Sequence, residues 1–228
     1  MSTTRSFWVT GATNGLGLAL VERLLDLGQR VAASSRDCEQ LQALSEQVLC
    51  LPGQLQEVGQ ADIASQQLQA RWGALDTLII NAGSCDYLAD DVASTDLFEM
   101  IVASNLRAAE HCLAAALPLL AKGDKPQVMV ILSRYSASQL YEPNQPPSGL
   151  NSLPRWLRNQ RATLKTLGVD LTVVAPQSLK TPVTLAQAIP ELWTAQTAAN
   201  ELLARLEQRQ PELVLEALSL NSLWPLPS

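Results

Sequence analysis

One histidine, His111, stands in 228 residues. That scarcity argues against a His-built metal centre and against a Ser-His-Asp triad, since both need imidazole. His111 lies in an Ala/Leu-rich helical run, which suits a packed or surface side chain. Four cysteines are present (Cys38, Cys50, Cys85, Cys112) and none forms a CxxC pair. Neither a metal site nor a disulfide framework is expected, and a reduced, cytoplasmic setting is the default. Basic charge is also short: 16 Lys and Arg against 22 Asp and Glu, a net charge of −6, with no basic run. That balance argues against nucleic acid as a partner. No apolar run is long enough for a bilayer, so no membrane partner is expected. The opening "MSTTRSFWVTGAT" lacks the apolar core of a signal peptide and enters a strand at once.

What is there is apolar and alternating. Hydrophobic residues make up 47% of the chain, enough for one full core, and residues 1–228 read as a single domain without repeats. Strand-like runs at 6–11, 29–35, 47–52, 75–83, 127–133, 169–176 and 211–218 alternate with helical patterns at 17–28, 38–46, 57–73, 94–123 and 152–168. Pro118 is placed to bend the end of the fourth helix, and Pro154 near the first turn of the fifth, with Ser152 as N-cap. Buried strands separated by amphipathic helices imply an α/β fold: a three-layer, doubly wound parallel sheet of Rossmann type with about seven strands. The remainder, 185–228, reads as a short lid or cap. "IPELW" at 189–193 forms either a lid helix with Trp193 over the cleft or a packed surface helix.

The first strand-to-helix turn carries chemistry. "TGATNGLG" at 10–17 places glycines at 11, 15 and 17, which allow a tight turn and let a pyrophosphate approach backbone N–H groups at a helix N-terminus. The second strand ends in "SSRD". An acidic side chain there would hold the ribose hydroxyls of NAD. Ser35 cannot repel a 2′-phosphate and Arg36 can pair with one, which favours NADP(H) over NAD(H).

These motifs and several others resemble the short-chain dehydrogenase/reductase family over about residues 5–185. "TGATNGLG" matches the family's TGxxxGxG, assigning Thr10, Gly11, Thr13, Asn14, Gly15, Leu16 and Gly17 to the cofactor. "NAG", Asn81, Ala82 and Gly83, matches the motif after the fourth strand. Asn105 matches the helix-four asparagine, and Ser133 the catalytic serine. "APQSLKTPV" resembles the segment after strand six, bringing in Pro176 and Thr181, with Gln177 where glycine is usual. Where the family usually has an aspartate for the adenine amino group, Gln54 stands, with Leu55 against the ring. A glutamine carbonyl can accept the same hydrogen bond.

The resemblance fails at the reacting centre. Its tyrosine lies thirteen residues after the serine and its lysine four later; here those positions are Pro146 and Leu150. "YSAS" at 135–138 comes too early, and no helix begins there and runs through Pro143, Pro146 and Pro147. Residues 142–149 read as an extended, polyproline-like loop instead. Tyr135 and Tyr141 are the candidate substitute acids, with Cys85 and Asp86 as weaker ones. Three functions remain open: an oxidoreductase with a displaced acid, an inactive nucleotide-binding sensor or partner subunit, and a non-redox enzyme such as a lyase or cyclase. The resemblance also implies a homodimer through the fourth and fifth helices, offering Leu97, Ile101, Ala108, Cys112 and Trp156.

Overall fold

A computed structural model describes residues 4–36, 38–44, 46–81, 95–132, 153–175 and 194–214. Seven strands form one sheet: β1 (Ser6–Thr10), β2 (Arg30–Ser35), β3 (Leu49–Pro52), β4 (Thr77–Asn81), β5 (Gln127–Ile131), β6 (Asp170–Ala175) and β7 (Glu212–Val214). Their order is β3-β2-β1-β4-β5-β6-β7 and every pairing is parallel. Among the described residues, six helices connect them: α1 (Gly15–Asp26), α2 (Glu39–Leu44), α3 (Gln60–Trp72), α4 (Thr95–Leu120), α5 (Leu153–Thr166) and α6 (Ala195–Leu206). The expected doubly wound, seven-stranded sheet is therefore present.

Alternation along each strand divides the core in two. Trp8, Ala32, Leu78, Ile80, Val128 and Val130 face the side covered by α3, α4 and α5. Phe7, Val9, Val31, Ala33, Ile79 and Met129 face the side covered by α1 and α6. Both sets are buried, so the strands read as continuous apolar runs rather than as half-polar ones.

Helix boundaries differ from expectation where backbone conformation decides. The pattern 57–73 predicts an early start, yet α3 begins only at Gln60. Gly59 before it takes φ 81, a left-handed conformation that no helical residue has. Gly73, at φ 75, closes the same helix with hydrogen bonds to the carbonyls of Gln69 and Leu68. Pro118 lies inside α4, and Pro154 is the second residue of α5; the proposed cap Ser152 lies outside the described residues. The stretch 194–206, placed with a lid or cap by the sequence pattern, is instead a wall of the core, and β7 falls within the strand expected at 211–218. Ala198, Ala199 and Leu202 of α6 are buried beside α1, and β7 closes the sheet edge. Trp193 and "IPELW" lie outside the described residues.

Candidate nucleotide site

The strand order reverses between β1 and β4, which both pair with neighbours on opposite sides. In open α/β sheets the crevice beyond the carboxyl ends of such strands takes the ligand. The Gly-rich turn leads from β1 directly into α1 at that point. Its backbone is constrained from two sides. A Cβ on Gly17 would lie 2.0 Å from the Gly11 carbonyl oxygen, so the first turn of α1 rests on the turn that precedes it. A Cβ on Gly11 would lie 2.1 Å from the Asn81 carbonyl oxygen. Gly15 differs. Its φ is 51, a left-handed value, and nothing lies within 4 Å of where a side chain would begin. This open space sits at the start of α1, where the first N–H groups have no partner within the helix.

Asn81 ties the turn to the sheet. Its side-chain amide donates to the Gly11 carbonyl at 3.1 Å, and its backbone N–H donates to Thr10 Oγ1 at 3.1 Å. Asn14 caps α1 with extended backbone (φ −151, ψ 174), and its carbonyl accepts the Leu18 N–H at 3.2 Å. Leu16 is buried, while Thr13 is half-buried. Thr10, Gly11, Thr13, Asn14, Gly15, Leu16, Gly17 and Asn81 thus gather into one continuous structure.

The ends of β2 and β3 flank it. Ser35 is buried and its carbonyl accepts the Gly53 N–H at 3.0 Å; Arg36 beyond it is exposed. The Ser35 hydroxyl donates to Cys38 Sγ at 4.0 Å. Gln54 is exposed and its Oε1 accepts from Gln56 at 3.0 Å, while Leu55 is buried. Asn105 is half-buried on α4. Ala82, Gly83, Cys85, Asp86, Ser133, Tyr135, Tyr141, Pro146, Leu150, Pro176 and Thr181 lie outside the described residues. Of that group, Ser133 follows the end of β5 by two residues and Pro176 follows β6 directly.

A family model of short chain dehydrogenases matches residues 6–189. The chain belongs to the short-chain dehydrogenase/reductase family. Cis-2,3-dihydrobiphenyl-2,3-diol dehydrogenase of Paraburkholderia xenovorans (strain LB400) is 34% identical over 120 residues, 47% of this chain and 43% of that one. The chain therefore matches less than half the length of that relative. The 2-(R)-hydroxypropyl-CoM dehydrogenase of Xanthobacter autotrophicus (strain ATCC BAA-1158 / Py2) is 26% identical over 216 residues, 89% of this chain and 83% of that one. Among solved structures, the NADPH-bound carbonyl reductase from chicken fatty liver superposes with a TM-score of 0.73 at 21% identity, over 94% of this chain and 97% of that one.

Within this short-chain dehydrogenase/reductase, two features escaped the sequence reading. His111 on α4 sits 3.1 Å through Nδ1 from the Leu55 carbonyl, so it fastens the loop after β3 to α4. Only the register between that loop and the helix reveals this. Cys112, counted among the residues of a dimer face, is a correction: it is fully buried in the chain's own core, and burial pushes its thiol up to about 12. Ala108 and Trp156 are half-buried against the same core, and the side chains of Leu97 and Ile101 lie outside the described residues.

Proposed function

We propose that this chain is an NADP(H)-binding oxidoreductase whose active site departs from the family pattern at the tyrosine and lysine positions. The observation that carries the cofactor assignment is the complete glycine turn, with its open face at Gly15, beside a β2 that ends in Ser35. Thr10 to Gly17 would hold the pyrophosphate, Ser35 and Arg36 the 2′-phosphate, and Gln54 and Leu55 the adenine. Asn81, Ala82, Gly83, Pro176 and Thr181 would line the nicotinamide half. Similar structures described as NADP- and NADPH-bound support the same choice, at 20% and 21% identity. The bound cofactor supplies or accepts a hydride.

The chain's own part in the reaction is reduced. Ser133 donates a hydrogen bond to a substrate oxygen, and Asn105 orders α4. Pro146 and Leu150 carry no transferable proton, and a positioned proton donor is worth about 10²–10⁴ in rate. Ordinary ketone reduction is accordingly slow or absent unless Tyr135 or Tyr141 serves as the acid. The same two substitutions favour a second reading, a nucleotide-binding sensor or inactive partner subunit. A lyase or cyclase that reuses the cleft is the third.

Titration with NADPH and NADH, followed by cofactor fluorescence, tests the cofactor; a carbonyl panel then tests turnover. Tighter NADPH binding with turnover abolished by Tyr135→Phe or Tyr141→Phe supports the displaced-acid oxidoreductase. NADPH binding with no turnover supports the sensor. Equal affinity for the two nucleotides sinks the NADP(H) assignment. The chain is further proposed to form a homodimer through α4 and α5, with Trp156 at the contact. A monomer by light scattering at tens of micromolar sinks that arrangement.

A further inference from the structure

Sulfur gathers at the edge of the 2′-phosphate corner. Cys38 follows Arg36 by two residues and leads into α2, while Cys50 lies on β3 beside Ala33 of β2. The two cysteines are 12 residues apart in sequence, and the β2–α2–β3 return brings them together. The Cys50 thiol donates to the Cys38 carbonyl at 3.8 Å. Cys38 Sγ in turn accepts from the hydroxyl of Ser35. Both cysteines are half-buried, within reach of small solutes, whereas Cys112 is sealed in the core.

We propose that Cys38 and Cys50 form a reversible dithiol whose closure to a disulfide, driven by a small-molecule disulfide oxidant, weakens NADP(H) binding at Ser35 and Arg36. This rests on the cofactor reading above. The exchange balances in two steps. The Cys38 thiolate attacks one sulfur of the oxidant, forming a mixed disulfide and releasing one small thiol. The Cys50 thiolate then attacks the Cys38 sulfur and displaces the second small thiol. The two protons shed by the cysteines end on the two small thiols; the cysteines are oxidised and the oxidant is reduced.

Geometry sets the direction of the effect. A disulfide needs a sulfur–sulfur separation of about 2.05 Å and a Cβ–Cβ separation of about 3.8 Å. Cys50 is held in the sheet by pairing with β2, so closure draws Cys38 toward β3. That movement takes the Cys38 sulfur away from the Ser35 hydroxyl and pulls on the short stretch that carries Arg36. Burial first, and then the hydrogen bond and charge of Cys38, push the Cys50 thiol up to about 12. Closure therefore accelerates as pH rises, because only the thiolate attacks.

The test uses the full chain, incubated with oxidised glutathione or with dithiothreitol. Peptide mass mapping locates any link, and fluorescence titration gives the NADPH dissociation constant in each state. The expected result is a Cys38–Cys50 link, reversed by dithiothreitol, with the constant raised roughly five-fold or more, the scale of one hydrogen bond. Cys38→Ser and Cys50→Ser should each abolish both the link and the shift. Absence of the link, or glutathione left on Cys38 alone, overturns the dithiol whatever the nucleotide does. A link with an unchanged NADPH constant overturns the regulatory half. A link with no NADPH binding in either state overturns the cofactor reading and the regulatory half together.

Discussion

The two edges of the sheet are built to opposite plans. At the amino ends of the strands, side chains stitch one connection to the next. Asp76, buried just before β4, accepts from the backbone N–H and the hydroxyl of Ser6 at 2.7 and 2.9 Å, and from the Asp124 N–H at 2.7 Å. Gln127 reaches Thr172 at 3.1 Å and the Leu206 carbonyl at 3.2 Å; Thr172 reaches the Gln210 carbonyl at 2.8 Å. Arg161 donates to the Leu171 and Pro211 carbonyls, and Arg209 pairs with Asp170. At the carboxyl ends, the described residues offer glycines, one Asn81 amide and exposed polar side chains such as Arg36 and Gln54. One edge spends its polar groups on itself, and the other leaves backbone and exposed side chains open where the nucleotide is proposed to bind. Stability and binding should therefore separate by edge.

The substitution expected to do most damage is Gly17→Val at the ligand edge. A Cβ there would lie 2.0 Å from backbone, and forcing α1 off the turn costs about 1–3 kcal/mol or more. Nucleotide binding should be lost and the melting temperature lowered. Full binding in the variant would break the claim that α1 must rest on Gly11. Asp76→Ala at the opposite edge should lower stability by about 1–3 kcal/mol, the cost of a stranded buried donor. Its NADPH affinity should stay near that of the parent under conditions where the chain is folded, as equilibrium denaturation and titration would show together. A large loss of affinity in the folded variant would erase the separation.

Arg36→Ala should do the reverse. NADPH should weaken by about 1.5–3 kcal/mol, the range for a hydrogen bond to a charged group, with NADH and the unfolding midpoint nearly unchanged. The smallest effect is expected from Thr194→Ala. Thr194 caps α6 reciprocally with Thr197, at 3.1 Å to its N–H, and loss of such a cap costs about 1 kcal/mol. Thr194 belongs to the ligand edge by topology yet serves only the helix. Stability should fall slightly and NADPH affinity should hold, which narrows the binding plan to the β1–β4 part of that edge.

Much of this was legible in the chain itself. The strands were readable because each is a short apolar run between glycine, proline or charged breaks, and the turn at 10–17 was readable because its glycines are positional. The parts that were not legible depend on contacts across sequence. The α6 segment carries Ala195, Ala198, Ala199, Leu202 and Leu206 at helical spacing, all buried. Small alanines make that stripe faint, and its cap uses Thr197 where glutamate or glutamine would have signalled a start. The bond between His111 and Leu55 and the meeting of Cys38 with Cys50 follow from how α4 and β3 lie against neighbouring loops. No spacing rule encodes either. The proposal that Pro146 and Leu150 stand where the family has tyrosine and lysine came only from counting against a family pattern, because a missing side chain leaves no local trace.

The seating of α6 has a consequence for synthesis. The helix that opens the nucleotide turn, α1, buries Ala19, Leu20, Val21 and Leu24 in the layer that α6 completes. Those residues leave the ribosome well before their cover does. At about 5–20 residues per second, the nascent chain carries a finished glycine turn on a half-covered helix for many seconds. A message truncated after β6 would yield a product with the nucleotide motif intact and an apolar stripe open to water. Such a product is a client for chaperones and proteases, so pulse-chase of a chain stopped at residue 175 should show rapid turnover even though every glycine of the turn is present.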